Sequence, residues 1–146
     1  DNMQRLLRKF ETAKSLVPGP AIEKAAQPTR AAIVWYGSSG APMAESLAVL
    51  QEQGIHLDRM RIRAFPFADA VAEFIASHDH VFVVEQNRDA QLRALLVNEC
   101  GIAPDKLIPV LHYDGNPLTA RFIESEIGEK ARALGLVRGR PAIAAD

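Results

Sequence analysis

The length and composition of the chain are those of one ordinary globular domain. Its 146 residues are 48% hydrophobic and 24% charged, which excludes disordered, collagenous and fibrous proteins, and no apolar run approaches the ~20 residues of a membrane-spanning helix. A net charge of -1 leaves no cationic excess for a phosphate backbone. We therefore expect neither nucleic acid nor a membrane as a partner.

Cysteine usage and the first residues indicate the setting of the chain. Cys100 is the only cysteine, which excludes an internal disulfide and an iron-sulfur cluster held by about four thiolates of this chain. A reducing, cytoplasmic compartment fits best. The sequence begins at Asp1 without the basic and apolar regions of a signal peptide, and we expect it to be a piece of a longer chain.

The chain opens with a predicted helix followed by a linker. Apolar residues recur at helical spacing from Met3 to Leu16, which predicts a short helix or docking segment. Prolines and Gly19 interrupt the next stretch, so Val17 to Arg30 is predicted to be a linker. We divide the chain into residues 1–30, a docking helix with a proline-containing linker, and residues 31–146, an α/β domain.

From Ala31 the sequence repeats a short apolar strand followed by an amphipathic helix. Several strands are continuous apolar runs, which is typical of parallel strands covered on both faces. The strands are predicted at Ala31–Tyr36, Met60–Phe65, Val81–Glu85 and Ile108–His112, and the helices between them at Pro42–Gln53, Ala68–His78 and Ala90–Cys100. The pattern predicts an open, mostly parallel, Rossmann-like α/β sheet with helices on both faces and right-handed crossovers.

Local signals predict where helices start and stop. Gly54 and Gly101 follow two of the helices at positions suited to left-handed caps. Asn116-Pro117 is predicted to open a fourth helix, which breaks near Gly128 and resumes to Leu134. A tail from Arg138 to Pro141 follows.

Four loops follow the predicted strands, and parallel strands bring such loops to one edge of the sheet. We expect Ser38, Phe65, Asn87 and Tyr113 on the same side of the molecule. The candidate interface or ligand edge consists of the following residues in these loops: Gly37, Ser38, Ser39, Phe65, Phe67, Glu85, Gln86, Asn87, Arg88, Gln91 and Tyr113.

Each loop has a structural and a functional interpretation. The Gly37–Gly40 turn suits an approaching anion, yet a tight turn with a serine helix cap explains it better. Asn87 or Asp89 is expected to cap a helix while Glu85 pairs with a cation; contact with a ligand or another subunit is the alternative. Residues 65–67 either fix a turn or form a preorganised apolar anchor for another domain.

Histidines and the cysteine give weak signals. His78 and His80 are two residues apart with no matching second ligand pair, so a solvated loop is favoured over a metal site. His56 and His112 stand alone and are interpreted as structural. Cys100, among apolar neighbours, is predicted to be a small core residue rather than a nucleophile.

Four stretches together resemble a known family. They are residues 35–40 (Trp-Tyr-Gly-Ser-Ser-Gly), 63–67 (Arg-Ala-Phe-Pro-Phe), 83–92 (Val-Val-Glu-Gln-Asn-Arg-Asp-Ala-Gln-Leu) and 113–120 (Tyr-Asp-Gly-Asn-Pro-Leu-Thr-Ala). This chain resembles the C-terminal part of the alpha subunit of 2-oxoacid:ferredoxin oxidoreductases, in particular of the 2-oxoglutarate type. The Glu-Gln-Asn-x-x-x-Gln-Leu stretch is the most specific part.

The resemblance implies a transketolase C-terminal-like domain with a structural and assembly role. The whole enzyme would decarboxylate a 2-oxoacid on thiamine diphosphate with Mg²⁺, form an acyl-CoA and pass electrons through an iron-sulfur cluster to ferredoxin. In this family the alpha and beta subunits build the thiamine site together, and the beta subunit holds the magnesium-diphosphate region and the cluster. An earlier domain of the alpha chain supplies the substrate motif. No catalytic, metal or cofactor-binding residue is therefore assigned to this chain, which alone is expected to be inactive.

Two rival functions stay open. The leading one is a Rossmann-like module that senses a small effector at the Gly37–Gly40 turn or docks a protein. A freestanding hydrolase has little support, since no serine, histidine and acid occur in a compelling arrangement.

Overall fold

A computed structural model describes residues 1–138 of the chain, and residues 139–146 lie outside the described part. Helix α1 and strand β1 precede four units of strand and helix. The helices are α1 (Asn2–Leu16), α2 (Met43–Glu52), α3 (Asp69–Ala76), α4 (Gln91–Cys100) and α5 (Ala120–Ala133). The strands are β1 (Ala21–Glu23), β2 (Ala31–Tyr36), β3 (Asp58–Ile62), β4 (His80–Glu85) and β5 (Leu107–Leu111).

The strands form one sheet in the order β1-β3-β2-β4-β5. Strands β2 to β5 run parallel, and β1 pairs antiparallel with β3 at the edge. The chain moves outward from β2 to β3 and then crosses back over β2 to β4, so the strand order reverses between β2 and β4. This topology confirms the predicted open, mostly parallel α/β sheet and places its switch point between the loops that follow β2 and β4.

Helices cover both faces of the sheet, as predicted. Helices α2 and α5 pack on one face, where Ile33 and Phe82 are fully buried. Helices α3 and α4 pack on the other face, over Val34 and Val83. The continuous apolar runs of β2 and β4 are thus explained, because successive side chains of a strand enter opposite halves of the core.

The segment predicted as a linker contains a strand that the sequence analysis missed. The three residues of β1 are all exposed, so they carry no alternating pattern. Their order comes from pairing with β3 and from Asp58, whose buried carboxylate accepts hydrogen bonds from the backbone N–H of Ala25 at 2.8 Å and from Lys24 Nζ at 2.7 Å. The division of the chain at residue 30 stays a prediction.

His78 forms the other side of this contact. Its Nε2 lies 3.0 Å from Asp58 Oδ2 and its Nδ1 lies 2.7 Å from the carbonyl oxygen of Phe74. Burial raises the pKa of Asp58, but the hydrogen bonds from Ala25, Lys24 and His78 outweigh burial and hold that pKa below its usual value. The prediction of a solvated loop is therefore wrong at His78, whose ring is buried.

The fourth predicted helix begins later than expected and does not break. Thr119 is its N-cap, with its side-chain oxygen accepting from the backbone N–H of Phe122 at 3.2 Å, so Asn116-Pro117 does not open it. Helix α5 continues through Gly128, which is buried. The predicted left-handed positions are confirmed at Gly54 (φ 80°) and Gly101 (φ 63°). Of the predicted tail, residues 139–141 lie outside the described part.

Candidate functional site: the carboxyl edge and the exposed helix

The four loops proposed as a functional edge lie at one edge of the sheet. Strands β2, β3, β4 and β5 are all parallel, so the loops that carry Ser38, Phe65, Asn87 and Tyr113 leave the sheet at its carboxyl edge. That part of the prediction is confirmed. The side chains of these loops nevertheless have different surroundings, and they form two clefts and one bonded cluster.

The loop after β2 is a 3₁₀ turn rather than a serine-capped helix start. Gly37 takes φ 56°, a left-handed conformation that glycine adopts without a Cβ clash. Ser38 Oγ accepts a hydrogen bond of 2.9 Å from Gln86 Nε2, and the same amide lies 3.4 Å from the hydroxyl of buried Ser39. Helix α2 has Pro42 at its N-cap with no side-chain cap, so the predicted serine cap is wrong. The serines instead join the two loops that flank the switch point.

Glu85 is the main difference between the predicted and the observed edge. Its side chain is fully buried, and its carboxylate accepts from the backbone N–H of Leu92 at 2.6 Å, the backbone N–H of Arg93 at 2.9 Å and Asn87 Nδ2 at 2.8 Å. The expected cation partner is absent from these contacts. Glu85 instead satisfies the free N–H groups at the start of α4, where the helix dipole favours a negative charge.

The rest of this loop completes the start of α4. Asn87 Oδ1 accepts from the backbone N–H of Asp89 at 3.1 Å and of Gln91 at 3.2 Å. Asn87 thus satisfies the first N–H of α4, although Ala90 occupies the N-cap position without a side-chain hydrogen bond. The Asp89 carboxylate pairs with Arg88 at 2.7 Å and does not cap. Ala90 adopts φ 50°, a left-handed conformation that costs roughly 1–2 kcal/mol in a non-glycine residue. This network therefore fixes the direction in which α4 leaves the edge.

A predominantly apolar cleft of about 450 Å³ opens between the ends of β2 and β3 and the first turns of α4. The predicted edge residues that line it are Gly37, Phe65, Phe67 and Gln91. The ring of Phe65 is 45% exposed and stacks edge-on against buried Phe67, with centroids 5.3 Å apart. The cleft can hold an apolar side chain of another chain segment, with the amide of Gln91 as a polar contact.

Tyr113 lies apart from this cleft. It lines a shallow depression of about 270 Å³ with His112, Asp114 and Phe122, and its ring is exposed. His112 is buried, stacks edge-on against Phe122 and lies 3.3 Å from the Asp114 carboxylate. The backbone N–H of Asn116 is the main cause that lowers the pKa of Asp114. These contacts stabilise the loop after β5.

Cys100, the last residue of α4, is a small packing residue. Its side chain is half-buried against the core on the α3 and α4 side. Burial raises the pKa of its thiol, which favours the unreactive protonated form.

Helix α1 is a second candidate surface. None of its residues is buried. Met3, Leu7 and Phe10, on its apolar face, are 68%, 66% and 52% exposed, and only Ala13 and Lys14 near its end are half-buried. The helix therefore presents an apolar row to its surroundings.

This chain is similar to a known protein and to two solved structures. No family model matches the chain. It is 30% identical over 115 residues to the alpha subunit of 2-oxoacid:ferredoxin oxidoreductase 2 from Aeropyrum pernix, a match that covers 76% of this chain and 18% of the relative. This chain is similar to part of the alpha subunit of a 2-oxoacid:ferredoxin oxidoreductase.

Solved structures of such enzymes share the fold. The 2-oxoglutarate:ferredoxin oxidoreductase from Magnetococcus marinus matches with a TM-score of 0.71 and 22% identity over 82% of this chain and 21% of its own. The alpha chain of a probable 2-oxoacid ferredoxin oxidoreductase from Thermoplasma acidophilum matches with a TM-score of 0.52 and 23% identity, over 78% of this chain and 97% of its own. The chain thus spans about a fifth of the length of the first two relatives.

Six residues that line the cleft were not among the predicted edge residues. They are Tyr36, Ile62, Arg63, Ala64, Leu92 and Leu95. Tyr36 directly precedes the Gly37 turn at the end of β2, and Leu95 lies one helical turn after Gln91. The helical period that placed Gln91 near the edge would have placed Leu95 on the same side of α4.

Proposed function

We propose that this chain is a structural and assembly domain of a 2-oxoacid:ferredoxin oxidoreductase, positioned in the C-terminal part of the alpha subunit. The whole enzyme would convert a 2-oxoacid and CoA to an acyl-CoA and CO₂ and transfer electrons to ferredoxin. We favour 2-oxoglutarate as the substrate, because the related M. marinus structure contains 2-oxoglutarate, coenzyme A and succinyl-CoA. The partners would be the rest of the alpha chain and a beta subunit.

The exposed apolar row of α1 carries this proposal. A helix of 15 residues that leaves Met3, Leu7 and Phe10 exposed gains little from packing on its own domain, while most helical stability in proteins comes from a packed apolar face. Burying these side chains against another domain would supply that packing. We therefore assign α1 the role of a docking helix.

The carboxyl edge supports the same role. In a freestanding enzyme of this topology the edge would present polar groups to a substrate. Here the side chains of Ser38, Gln86, Glu85 and Asn87 are hydrogen-bonded to each other or to the backbone of α4, and the adjacent cleft is apolar around exposed Phe65. Such a surface suits contact with a neighbouring domain.

The donor set of this chain does not fit the cofactors of such an enzyme. An iron-sulfur cluster is usually held by about four thiolates, and Cys100 is the chain's only cysteine. Within residues 1–138 no group of three or more His, Cys, Asp and Glu could hold a metal ion. We propose that thiamine diphosphate, Mg²⁺ and the cluster are bound elsewhere in the enzyme.

The compartment stays a prediction. None of the helices within residues 1–138 is both long and apolar enough to cross a bilayer. Cytoplasmic location is proposed from the single cysteine of the sequence.

An association measurement tests the docking role. The double variant Leu7→Ser with Phe10→Ser removes two exposed apolar side chains, and Gln4→Ser with Thr12→Ser replaces two polar residues of the same helix as the matched control. Binding of the chain to the other alpha segment and the beta subunit, followed by calorimetry, should weaken by about 3 kcal/mol or about a hundredfold in the first variant and stay unchanged in the control. Equal affinities for both variants would remove α1 from the interface.

A further inference from the structure

Strand β3 carries two arginines on one face of the sheet. Arg59 and Arg61 alternate with apolar residues, so their side chains point to the same side, which is the side of α2 and α5. The register pairs Trp35 of β2 with Arg61, and Trp35 belongs to the core on that side. The guanidinium group of Arg61 therefore lies beside the indole of Trp35.

Two buried donors at this place have no partner. Trp35 is 9% exposed, and its Nε1 has no hydrogen-bond acceptor; the Nε of Arg59 likewise has none. The only side-chain hydrogen bond of Arg59 within the described residues joins its Nη1 to Glu23 at 3.0 Å. An unsatisfied buried donor costs about 1–3 kcal/mol, so two on neighbouring strands require a physical reason.

The indole N–H and the Arg61 guanidinium face the same space beside Gly40. A Cβ atom built on Gly40 would lie 3.2 Å from Trp35 Nε1 and 3.8 Å from Arg61 Cζ. A side chain at position 40 would fill this space. Because Arg61 is exposed, a rotation of its flexible side chain would give an acceptor access to the indole N–H.

The groups around this space are donors and positive charges. Across residues 1–138, no carboxylate oxygen lies within 4.0 Å of a charged nitrogen of Arg61. A free guanidinium group and an indole N–H match an acceptor with several oxygens and a negative charge. Neither a cation nor an apolar group would satisfy them.

We propose that the α2 side of strand β3 is an oxyanion-binding site, in which Arg61 and the indole N–H of Trp35 donate to the anion. The oxyanion is either the phosphate of a small molecule or a carboxylate. This site is separate from the docking helix and the carboxyl-edge cleft, and it does not depend on the proposed function.

The chain offers a direct probe, since Trp35 is its only tryptophan and gives one indole resonance in an ¹⁵N-correlated spectrum. The full chain is titrated with inorganic phosphate and, separately, with succinate, at constant ionic strength set with sodium chloride. The expected result is a saturable shift of the indole resonance with at least one of the two anions. The anion with the larger affinity identifies the phosphate or the carboxylate source.

Variants decide whether Arg61 carries the binding. Arg61→Gln should weaken the anion by about tenfold or more, the loss of one charged hydrogen-bonding partner, and Arg61→Lys should recover part of the loss because charge returns without the planar fork. Arg121→Gln, at an exposed position of α5, is the control and should bind as the parent chain does. An indole resonance that neither anion moves, or that moves equally in Arg61→Gln, overturns the proposal.

Discussion

The buried carboxylate of Glu85 should be the strongest single anchor of the carboxyl edge, and Glu85→Gln tests it with almost no change in volume. The carboxylate accepts two backbone N–H groups of α4 and the amide of Asn87. A glutamine has one acceptor oxygen, which can serve Leu92 and Asn87, but its NH₂ group then faces the N–H of Arg93. One buried donor loses its partner, and the charge at the helix start is lost.

The magnitude follows from these two terms. An orphaned buried donor costs about 1–3 kcal/mol, and a negative charge at a helix N-terminus contributes about 0.3–1 kcal/mol or more when partly buried. We expect Glu85→Gln to lower the free energy of unfolding by about 1–4 kcal/mol. At ~2–4 °C per kcal/mol for a chain of this size, the melting temperature should fall by about 3–16 °C.

Urea unfolding followed by circular dichroism, with heating as a second probe, measures this loss. The matched control is Asp89→Asn in the same loop, where an exposed carboxylate pairs with exposed Arg88 and the expected change is within ~0.5 kcal/mol. Burial of a charge also costs free energy, and glutamine removes that cost. A Glu85→Gln chain as stable as the parent would show that this cost cancels the hydrogen bonds, and would refute the anchoring role.

Three further predictions concern stability. Because the pKa of Asp58 is lowered in the folded chain, its ionised carboxylate stabilises the fold fully above the unfolded pKa of about 3.9, and this stabilisation is lost as the pH falls through the lower folded pKa. Asp58→Asn should therefore have a lower urea midpoint than the parent at neutral pH and approach the parent in acid. A difference in midpoint that stays constant at all pH values would contradict this. Thr119→Ala removes the cap of α5 and should cost about 1 kcal/mol, whereas no change in midpoint would exclude that cap. Leu7→Ser with Phe10→Ser should leave the melting temperature of the isolated chain nearly unchanged, because both side chains are exposed; a clear drop would mean that α1 packs on the domain.

The main strands could be predicted because burial on both faces requires a run of apolar residues in the sequence. Strands β2 and β4 lie between two helical layers, so their apolar runs are continuous and identify a parallel sheet. Strand β1 has no apolar pattern in the sequence, because its residues are exposed. Its ordered structure depends on pairing with β3 and on contacts with Asp58. Pairing partners far away in the chain cannot be read from periodicity.

The site was predictable in position but not in its bonding. Strand direction placed Phe65 and Gly37 near one edge, where they line the same cleft as Gln91. The role of Glu85 could not be seen, because its partners are amides seven and eight residues later that only the turn of the chain at Ala90 brings back. Thr119 and not Asn116 caps α5. Leu118 is buried, and its place in the core fixes where the helix can start.

Reduction of a viologen dye tests the central claim most directly. The assay is run with CoA, thiamine diphosphate and either 2-oxoglutarate or pyruvate, first on the 146-residue chain and then on the complete alpha subunit reconstituted with its beta partner. A structural and assembly domain predicts no turnover by the chain alone and turnover by the complex, with the faster substrate identifying the 2-oxoacid. Turnover by the chain alone would contradict the noncatalytic role, and an inactive complex would contradict the proposed enzyme.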